Sequence, residues 1–410
     1  AQYLGTVIVD PGLASQLPVL HWFVEDPYAA TTDAGTRASV YYAPRGPASG
    51  ALYDNVYVRR RGVTSKSWYK KSYKLDFNQG DFFAWAPGQP PLEEINLMST
   101  YDDKAYIRQP LAWETYRDAG VPHSISYPLR VQQNGAFHSV AILVEQPGPR
   151  SLERQGLDPE GALYKVRLNS FDSSTKGLRK ITRLDEDFGD LKAAIEGAHL
   201  EGEARTRYLY DHFDLPSIVN YMAATTIIGD RDWGHKNYYI YRDTNGSQEW
   251  SILAWDKDLS FGRQFLQDQG GAFNDVIWAN HDPESHPLGC YTNSELVDAL
   301  FDTPSIREMY LRRLRTLMDA FLQPPGTPQN QRYYETRIAA LYAQMWPDVH
   351  LDAQRWPVAW GAAQTFQQAL EILKHEYLAP RRVHFYQTHG PEGAGTGPPL
   401  IPEAQPARPQ

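Results

Sequence analysis

The chain has 410 residues, with 40 Lys and Arg against 49 Asp and Glu, so its formal net charge is −9. Proteins that bind nucleic acid through its phosphates usually carry a basic surface, so this class of function is disfavoured. A hydrophobic content of 42% beside 22% charged residues is typical of a folded globular protein, which excludes a wholly disordered chain. Cys290 is the only cysteine, so no disulfide can form within the chain. No run of 18 apolar residues occurs, and the sequence predicts no membrane-spanning segment.

The first third of the chain contains short runs of β-branched and aromatic residues between turn residues, which is typical of strands. One helix interrupts them. Asp102 or Asp103 can cap it, apolar residues recur at helical spacing as far as Tyr116, and Gly120 ends it. The predicted strands cover residues 6–10, 55–60, 72–77, 127–132 and 139–145.

From about residue 186 the spacing of apolar residues becomes helical. Two strands joined by a polar turn, 237–241 and 250–254, predict a β-hairpin within this region. The predicted helices cover residues 187–199, 203–213, 216–229, 294–301, 305–322, 329–345 and 362–378.

These elements predict an α+β fold with two lobes. The N-terminal lobe, residues 1–147, is expected to be β-rich with one helix, and the C-terminal lobe, residues 148–388, mainly helical. The stretch 389–410 is rich in Gly, Pro and Ala and has few large apolar residues, so it is predicted to be disordered.

The densest polar cluster, Gly-Asp-Arg-Asp-Trp-Gly-His-Lys-Asn at 229–237, lies directly before the hairpin, and Trp-Asp-Lys-Asp at 255–258 directly follows it. Acidic groups at neighbouring strand ends can converge on a hard cation such as Mg²⁺, which prefers oxygen ligands. Asp232 and Asn237 have the five-residue separation of the base and the metal-binding amide in the protein-kinase catalytic loop. Asp256 lies one hairpin later, as the metal-binding Asp does in that fold. A run of this kind is ordinarily a turn, but two coupled clusters favour a site.

An enzyme that uses ATP also needs cations on the phosphates. Lys71 shares a predicted strand face with Tyr73 and Leu75, so its ammonium is expected to point inward, where it needs a partner. Glu114, in the predicted helix, is the natural candidate, while Lys74 lies on the opposite strand face. The alternative is that these lysines form a solvated strand edge.

Together these blocks resemble the CotH (spore-coat protein H) kinases, atypical members of the protein-kinase-like superfamily. The resemblance covers about residues 50–388. The chain has Val63 where the family commonly has Asn and Ala254 where it commonly has Pro. The matching blocks are Arg-Arg-Gly-Val-Thr-Ser (60–65), Lys-Lys-Ser-Tyr-Lys-Leu-Asp-Phe (70–77), 101–104 with 107–108 and 111–114, Val-Glu-Gln (144–146), 232–241, and 255–258 with 261–262.

The resemblance implies a two-lobed atypical kinase fold and transfer of the γ-phosphate of ATP, with Mg²⁺ or alternatively Mn²⁺, to a protein Ser or Thr hydroxyl. It implies that Asp232 is the catalytic carboxylate and that Asn237 and Asp256 hold the metal. Asp258 would be a second metal ligand or a structural residue. The nucleotide-binding residues would be Arg61 and Ser65 in the loop over the nucleotide, Lys71 or Lys74 on the phosphates with Glu114 as the ion-pair partner of Lys71, and Glu145 near the adenine pocket.

The residues leave two other interpretations open. One is a kinase-fold enzyme with a different ATP-dependent transfer, which moves AMP or activates a carboxylate. The other is a surface adhesin or binding module whose aromatic residues form the contact surface. The acceptor is equally open between a Ser-rich region of another protein, the chain itself and a non-protein molecule. The family resemblance implies a secreted or cell-envelope location.

Overall fold

A computed structural model describes residues 13–44, 50–169, 171–172, 174–230, 232–263, 294–357, 364–391 and 401–404. The predicted strand at 6–10 lies outside the described residues, as does Cys290. The chain forms two compact units. The first unit comprises Ala1–Pro110, Ile125–Gln146 and Ala339–Phe366, and the second comprises Leu111–Ser124, Pro147–Ile338 and Gln367–Gln410. Each unit is therefore assembled from separate segments of the chain.

The first unit is built on a closed seven-stranded barrel. Its strands are β1 (Val19–Phe23), β2 (Thr36–Ala43), β3 (Ala51–Arg61), β4 (Ser72–Asp76), β5 (Glu94–Met98), β6 (Ser126–Gln133) and β7 (Ala136–Glu145). Their order around the barrel is β1-β2-β3-β4-β5-β7-β6. Neighbouring strands pair antiparallel, except that β1 and β6 close the barrel as a parallel pair.

Alternate side chains of the strands fill the barrel interior, as the two-residue period of a strand requires. Trp22, Val40 and Leu75 have no exposed surface, and the rings of Trp22 and Tyr73 meet edge to face at 4.6 Å. Burial of such side chains contributes roughly 1.5–3 kcal/mol each, and it is the main term that holds the barrel together.

The second unit contains a four-stranded antiparallel sheet, in the order β11-β10-β8-β9. The strands are β8 (Ala162–Val166), β9 (Leu178–Lys180), β10 (Tyr238–Arg242) and β11 (Trp250–Ala254). The predicted hairpin is confirmed as β10 and β11, with Tyr238 opposite Ala254 in the register. The two ends of this hairpin carry the residues that the sequence singles out.

The helices confirm a mixed α and β fold. The predicted helix at 329–345 continues beyond its expected end, through Pro347. The helices are α1 (Pro27–Ala30), α2 (Arg108–Asp118), α3 (Pro149–Arg154), α4 (Gly189–Ala198), α5 (Gly202–His212), α6 (Leu215–Ile228), α7 (Glu295–Asp302), α8 (Pro304–Leu317), α9 (Tyr333–Arg355), α10 (Phe366–Ile372) and α11 (Ala379–Val383).

Helix α6 forms the centre of the second unit and packs against α8 and β11. Asp214 caps its start by accepting from the N–H of Ser217 at 3.1 Å, and Pro216 suits the first turn because it has no N–H to satisfy. Its residues are almost all buried, which explains why this segment is apolar on every face.

Some described residues of the predicted tail are packed. Ile401 is buried, and its N–H donates to the carbonyl of His389 at 2.7 Å. The carbonyl of Pro402 accepts from Arg315 at 3.1 Å. These contacts belong to residues 401 and 402, and disorder of the tail as a whole stays a prediction. Across the described ranges, no helix combines the length and apolar character that would cross a membrane.

Candidate active site

The candidate site of the second unit begins where α6 ends. Gly229 adopts a left-handed conformation, with φ 55° and ψ 51°, and its N–H returns to the last turn of the helix. This is the conformation that glycine allows at little cost, and it turns the chain sharply out of the helix. Trp233 then anchors the following loop, since it is buried and meets the ring of Tyr221 edge to face at 5.8 Å. The loop between Gly229 and β10 is therefore held at both ends.

A buried ion pair ties this loop to the segment after β11. The carboxylate of Asp230 pairs with the ammonium of Lys257, and neither side chain has exposed surface. Lys257 also donates to the carbonyl of Asn237 at 3.2 Å, and Asp230 accepts from the backbone N–H of Asp232 at 3.0 Å. The sequence patterns assigned no role to either member of this pair. The available signal was a lysine between two acidic residues at the end of an apolar strand, in Asp256-Lys257-Asp258.

Asp232 lies in this loop with two polar neighbours on its carboxylate. Asn237 donates from its side-chain amide to Asp232 Oδ2 at 2.9 Å and to the Asp232 carbonyl at 2.7 Å, and Lys236 contacts Asp232 Oδ1 at 2.5 Å. Burial raises the pKa of Asp232 to about 6, and the charges of Asp230 and Asp256 add to this rise while Lys236 opposes it. The five-residue spacing in the sequence thus corresponds to a direct contact between Asp232 and Asn237.

Asn237 and Asp256 stand at neighbouring ends of the hairpin. Asn237 directly precedes β10, and Asp256 is the second residue after β11. The N–H of Trp255, between β11 and Asp256, donates to the carbonyl of Asn237 at 3.2 Å. Both residues have positive φ, 61° for Asn237 and 57° for Asp256, a conformation that Asn and Asp tolerate better than other side chains. The backbone therefore bends away from the sheet at both positions.

The donor chemistry of these residues fits a hard divalent cation. The hydrogen bonds of the Asn237 side chain use its nitrogen, so its oxygen is the atom suited to a metal. The Asp256 carboxylate is partly exposed and supplies further oxygen ligands. Asp258 Oδ1 accepts from the N–H of Leu259 at 3.1 Å. Within the described ranges, no cluster of three or more His, Cys, Asp or Glu could hold a metal ion.

In the first unit, the predicted phosphate loop follows β3. Gly62 has φ 99°, and a Cβ at this position would lie 1.8 Å from Ser65 Oγ, so only glycine fits. Ser65 in turn donates to the carbonyl of Arg61 at 3.3 Å. Lys71 Nζ donates to the carbonyl of Lys66 at 2.7 Å, and burial together with Arg60 lowers the pKa of Lys71. Arg61, Ser65 and Lys71 are thus parts of one compact turn.

The buried lysine of this segment is Lys70, which corrects the expectation that Lys71 points inward. Strand β4 begins only at Ser72, so the strand alternation does not extend to Lys71. Lys70 is 2% exposed, and its ammonium bonds to Asp352 Oδ2 and to the Val140 carbonyl, both at 2.8 Å. Burial lowers the pKa of Lys70, and the Asp352 carboxylate opposes this shift.

Glu114 has a different partner from the predicted one. Its carboxylate accepts from Arg337 at 2.7 Å to Oε1 and 2.9 Å to Oε2, which is a bidentate ion pair within the second unit. Because this pair occupies both carboxylate oxygens, we do not assign Glu114 as the partner of Lys71. Arg337 lies 223 residues further along the chain, and no local pattern indicated it.

The remaining two nucleotide-binding candidates lie on barrel strands. Lys74 on β4 pairs with Glu94 on β5 at 2.6 Å and with Asp76 at 3.4 Å, on the outward face of the strand. Glu145 ends β7, is 1% exposed, and accepts from the N–H of Ile125 at 3.0 Å. Lys74 is therefore engaged in a cross-strand ion pair, and Glu145 holds the start of the segment that leads into β6.

The chain is similar to several known proteins. The chain matches the family model described as CotH kinase protein over residues 58–384, which confirms the predicted family. It is similar to Invasin CotH3 of Rhizopus delemar, with 28% identity over 176 residues, which are 41% of this chain. The matched region spans 27% of that curated relative. The chain is also similar to the crystal structure of the Helicobacter pylori proinflammatory kinase CtkA, with 11% identity, 73% of this chain and 94% of that chain covered, and a TM-score of 0.26. That TM-score supports no conclusion about the fold.

Proposed function

Because the chain belongs to the CotH kinase protein family, we propose that it is an ATP- and Mg²⁺-dependent phosphotransferase whose acceptor is a Ser or Thr hydroxyl of a protein. Its two units then correspond to the lobes of an atypical protein-kinase-like fold. The observation that carries the proposal is the hydrogen bond from Asn237 to the Asp232 carboxylate. This contact joins an amide and a carboxylate with catalytic-loop spacing, at the hairpin end that also carries Asp256.

In this proposal Asp232 orients the acceptor hydroxyl and takes its proton. The hydroxyl oxygen forms a bond to the γ-phosphorus, the bond from that phosphorus to the bridging oxygen of ADP breaks, and the proton moves to the Asp232 carboxylate. Asn237 and Lys236 hold this carboxylate from two sides, so its orientation is fixed before the acceptor arrives.

Asn237 and Asp256 would hold the metal, with Asp258 as a further ligand and Mn²⁺ as the alternative ion. A bound Mg²⁺ supplies positive charge that offsets the charge of the phosphates. Among the first-unit residues, Arg61 and Ser65 would lie on the nucleotide, Lys71 or Lys74 would contact its phosphates, and Glu145 would lie near the adenine. The compact turn formed by Arg61, Ser65 and Lys71 supports their shared role.

The test is incubation of the full chain with Mg²⁺ and ATP labelled at either the γ- or the α-phosphate, in the presence of the chain itself or a Ser-rich peptide as acceptor. We expect the γ-label to appear on acceptor hydroxyls, with a mass increment of one HPO₃ group in the modified peptides. Transfer of the α-label would mean that the enzyme transfers AMP and not the γ-phosphate. Label on neither, together with no Mg²⁺-dependent thermal shift by ATP, would refute the nucleotide chemistry altogether.

A second candidate function follows from the relative named as an invasin. Under this proposal the chain is a surface protein that binds a host or neighbouring cell, and secretion or attachment to the cell envelope is expected under both proposals. Cell-binding assays with the wild-type chain and Asp256→Asn separate the two functions. Adhesion that persists in the variant while phosphotransfer is lost would assign binding to a surface other than the catalytic residues.

A further inference from the structure

A lysine outside the predicted site lies on the sheet beside the catalytic hairpin. Lys165 on β8 stands directly opposite Tyr239 on β10 in the antiparallel register, so the two side chains share a sheet face. Its ammonium lies 5.4 Å from the centre of the Tyr239 ring and 4.8 Å from that of Trp255. Both distances are within the range of cation–π attraction.

The rings of Tyr239 and Trp255 hold this ammonium in a fixed position. Trp255 is 2% exposed and Tyr239 is fully buried, and their rings meet edge to face at 5.7 Å with an interplanar angle of 89°. Buried rings in such a contact have little rotamer freedom, so the charge they hold is placed before any ligand binds. Lys165 itself is partly exposed.

This pair of rings adjoins the proposed metal-binding end of the hairpin. Trp255 precedes Asp256 in the chain, and its backbone N–H bonds to the carbonyl of Asn237 at 3.2 Å. The ring that holds the ammonium therefore belongs to the residue that precedes Asp256 and is bonded through its backbone to Asn237. All of these groups belong to the second unit.

We propose that Lys165 binds a phosphoryl oxygen of the metal-bound nucleotide. This inference rests on the proposed function, which places a polyphosphate next to Asn237 and Asp256. A nucleotide triphosphate carries more negative charge than one divalent cation neutralises, so a second cation at this place has a defined ligand. A lysine ammonium is a point charge that donates to phosphoryl oxygens.

Isothermal titration with Mg²⁺ and a non-hydrolysable ATP analogue, and separately with adenosine, tests the assignment. We expect Lys165→Met to weaken binding of the analogue at least about tenfold, because a charge-assisted hydrogen bond is lost. Adenosine has no phosphate, so its affinity should change less than about twofold. Lys165→Arg keeps a charge that can stack on Trp255 and should retain most of the analogue's affinity.

Lys180 provides the matched control. It lies on β9, its ammonium is 5.3 Å from the centre of the Tyr164 ring, and it donates to the Asp187 carbonyl at 2.8 Å. Lys180→Met removes a cation–π contact from the opposite face of the same sheet, and we expect unchanged affinity for the analogue. A similar loss in both methionine variants would mark a general effect on the sheet and overturn the assignment.

The remaining outcomes separate this inference from the proposed function. If the wild-type chain binds the analogue and folded Lys165→Met binds it equally well, only the Lys165 assignment fails. If the wild-type chain binds the analogue no better than adenosine, the proposed function fails and the assignment fails with it. If Lys165→Met does not fold, Lys165→Gln replaces it in the titration. Unfolding of both, with Lys165→Arg folded, would show that the charge serves the fold and would also overturn the assignment.

Discussion

The carboxylate of Asp230 and the ammonium of Lys257 form an ion pair that has no exposed side-chain surface. Asp230 is the second residue after α6 and Lys257 the third after β11, so the pair joins the two segments that carry Asp232 and Asp256. Removal of two charges from water is costly, and the pair is stable only while both members are present. The pair holds the backbone of the candidate site in place, and Asp232, Asn237 and Asp256 carry the groups to which we assign the proposed chemistry.

We expect Lys257→Met to reduce the free energy of unfolding by about 3–5 kcal/mol, because it leaves the buried Asp230 carboxylate without its counter-charge. Urea denaturation followed by circular dichroism measures this loss. The double variant Asp230→Asn, Lys257→Met should recover part of it. Arg207→Ala breaks the exposed pair with Glu203 and should change stability by less than about 1 kcal/mol. Equal effects of Lys257→Met and Arg207→Ala would contradict the structural role.

Replacement of Asp256 tests the metal assignment. Because φ of Asp256 is 57°, Asn tolerates the backbone better than Ala, and Asp256→Asn changes the charge with the least strain. We expect a loss of Mg²⁺-dependent γ-phosphate transfer of about a thousandfold or more, since the substitution removes the negative charge of the carboxylate to which we assign the metal. The melting temperature should stay close to that of the wild-type chain. The matched control is Asp211→Asn, at an exposed position on α5. If Asp256→Asn transfers phosphate as fast as this control, Asp256 is excluded as a metal ligand.

Asp232→Asn separates the chemical step from nucleotide binding. The variant keeps an oxygen that accepts the hydrogen bond from Asn237, so the loop should retain its geometry. It loses the group that takes the acceptor proton, and we expect the rate of transfer to fall by about 10²–10⁴-fold. Binding of Mg²⁺ with a non-hydrolysable ATP analogue should change by less than about threefold. If nucleotide binding is lost as well, Asp232 has a binding role and not the role of a base.

A double-mutant cycle tests the partner of Glu114. Glu114→Gln and Arg337→Met each break the bidentate pair, and we expect a coupling energy of about 1 kcal/mol in the free energy of unfolding. The value is modest because the Arg337 side chain is 37% exposed and water screens the charge. Additive effects of the two substitutions would mean that the ion pair contributes nothing in solution.

The pH dependence of the free energy of unfolding should show the effect of His138 titration. Burial lowers the pKa of His138 to about 3, and the charges of Arg355 and Lys70 act in the same direction. Below pH 6.5 the unfolded chain therefore binds a proton that the folded chain excludes, and stability falls as the pH decreases. Between pH 7 and pH 5 we expect His138 alone to account for about 2 kcal/mol of lost unfolding free energy.

His138→Phe keeps a ring against Trp22 and Trp356 and removes the titration. Urea denaturation at pH 7 and pH 5 should show a smaller decrease in unfolding free energy for this variant than for the wild-type chain. The exposed His350→Gln should behave as the wild type. If the unfolding free energy decreases equally in the wild-type chain and both variants, the His138 ring is protonated in the folded state.

The local pattern predicted the parts of the fold that depend on neighbouring residues. The hairpin is marked by two aromatic-rich runs around a polar turn, and β11 begins and ends at its predicted residues, Trp250–Ala254. Three barrel strands were missed, β1, β2 and β5. Glu94–Met98, for example, contains one β-branched residue and becomes a strand because β4 and β7 flank it. Such pairing is determined by closure of the barrel, which short windows of sequence do not record.

The same distinction holds for the site. The contact between Asp232 and Asn237 could be predicted because five residues of one loop fix it. The partner of Glu114 and the identity of the buried lysine could not be predicted, because these ion pairs join residues more than two hundred positions apart. At that separation the residue types show only that a buried charge requires a counter-charge. The tertiary fold determines which residue supplies it.

The pairing of Lys70 with Asp352 has a consequence for synthesis of the chain on the ribosome. The two residues are 282 positions apart, and all seven barrel strands lie N-terminal to Asp352. At about 5–20 residues per second, roughly 15 to 60 seconds separate the appearance of the lysine from that of its counter-charge. During this interval burial of the Lys70 ammonium would be uncompensated, so we expect the nascent barrel to stay incompletely closed. Completion of the first unit is thus coupled to translation of the chain as far as Asp352.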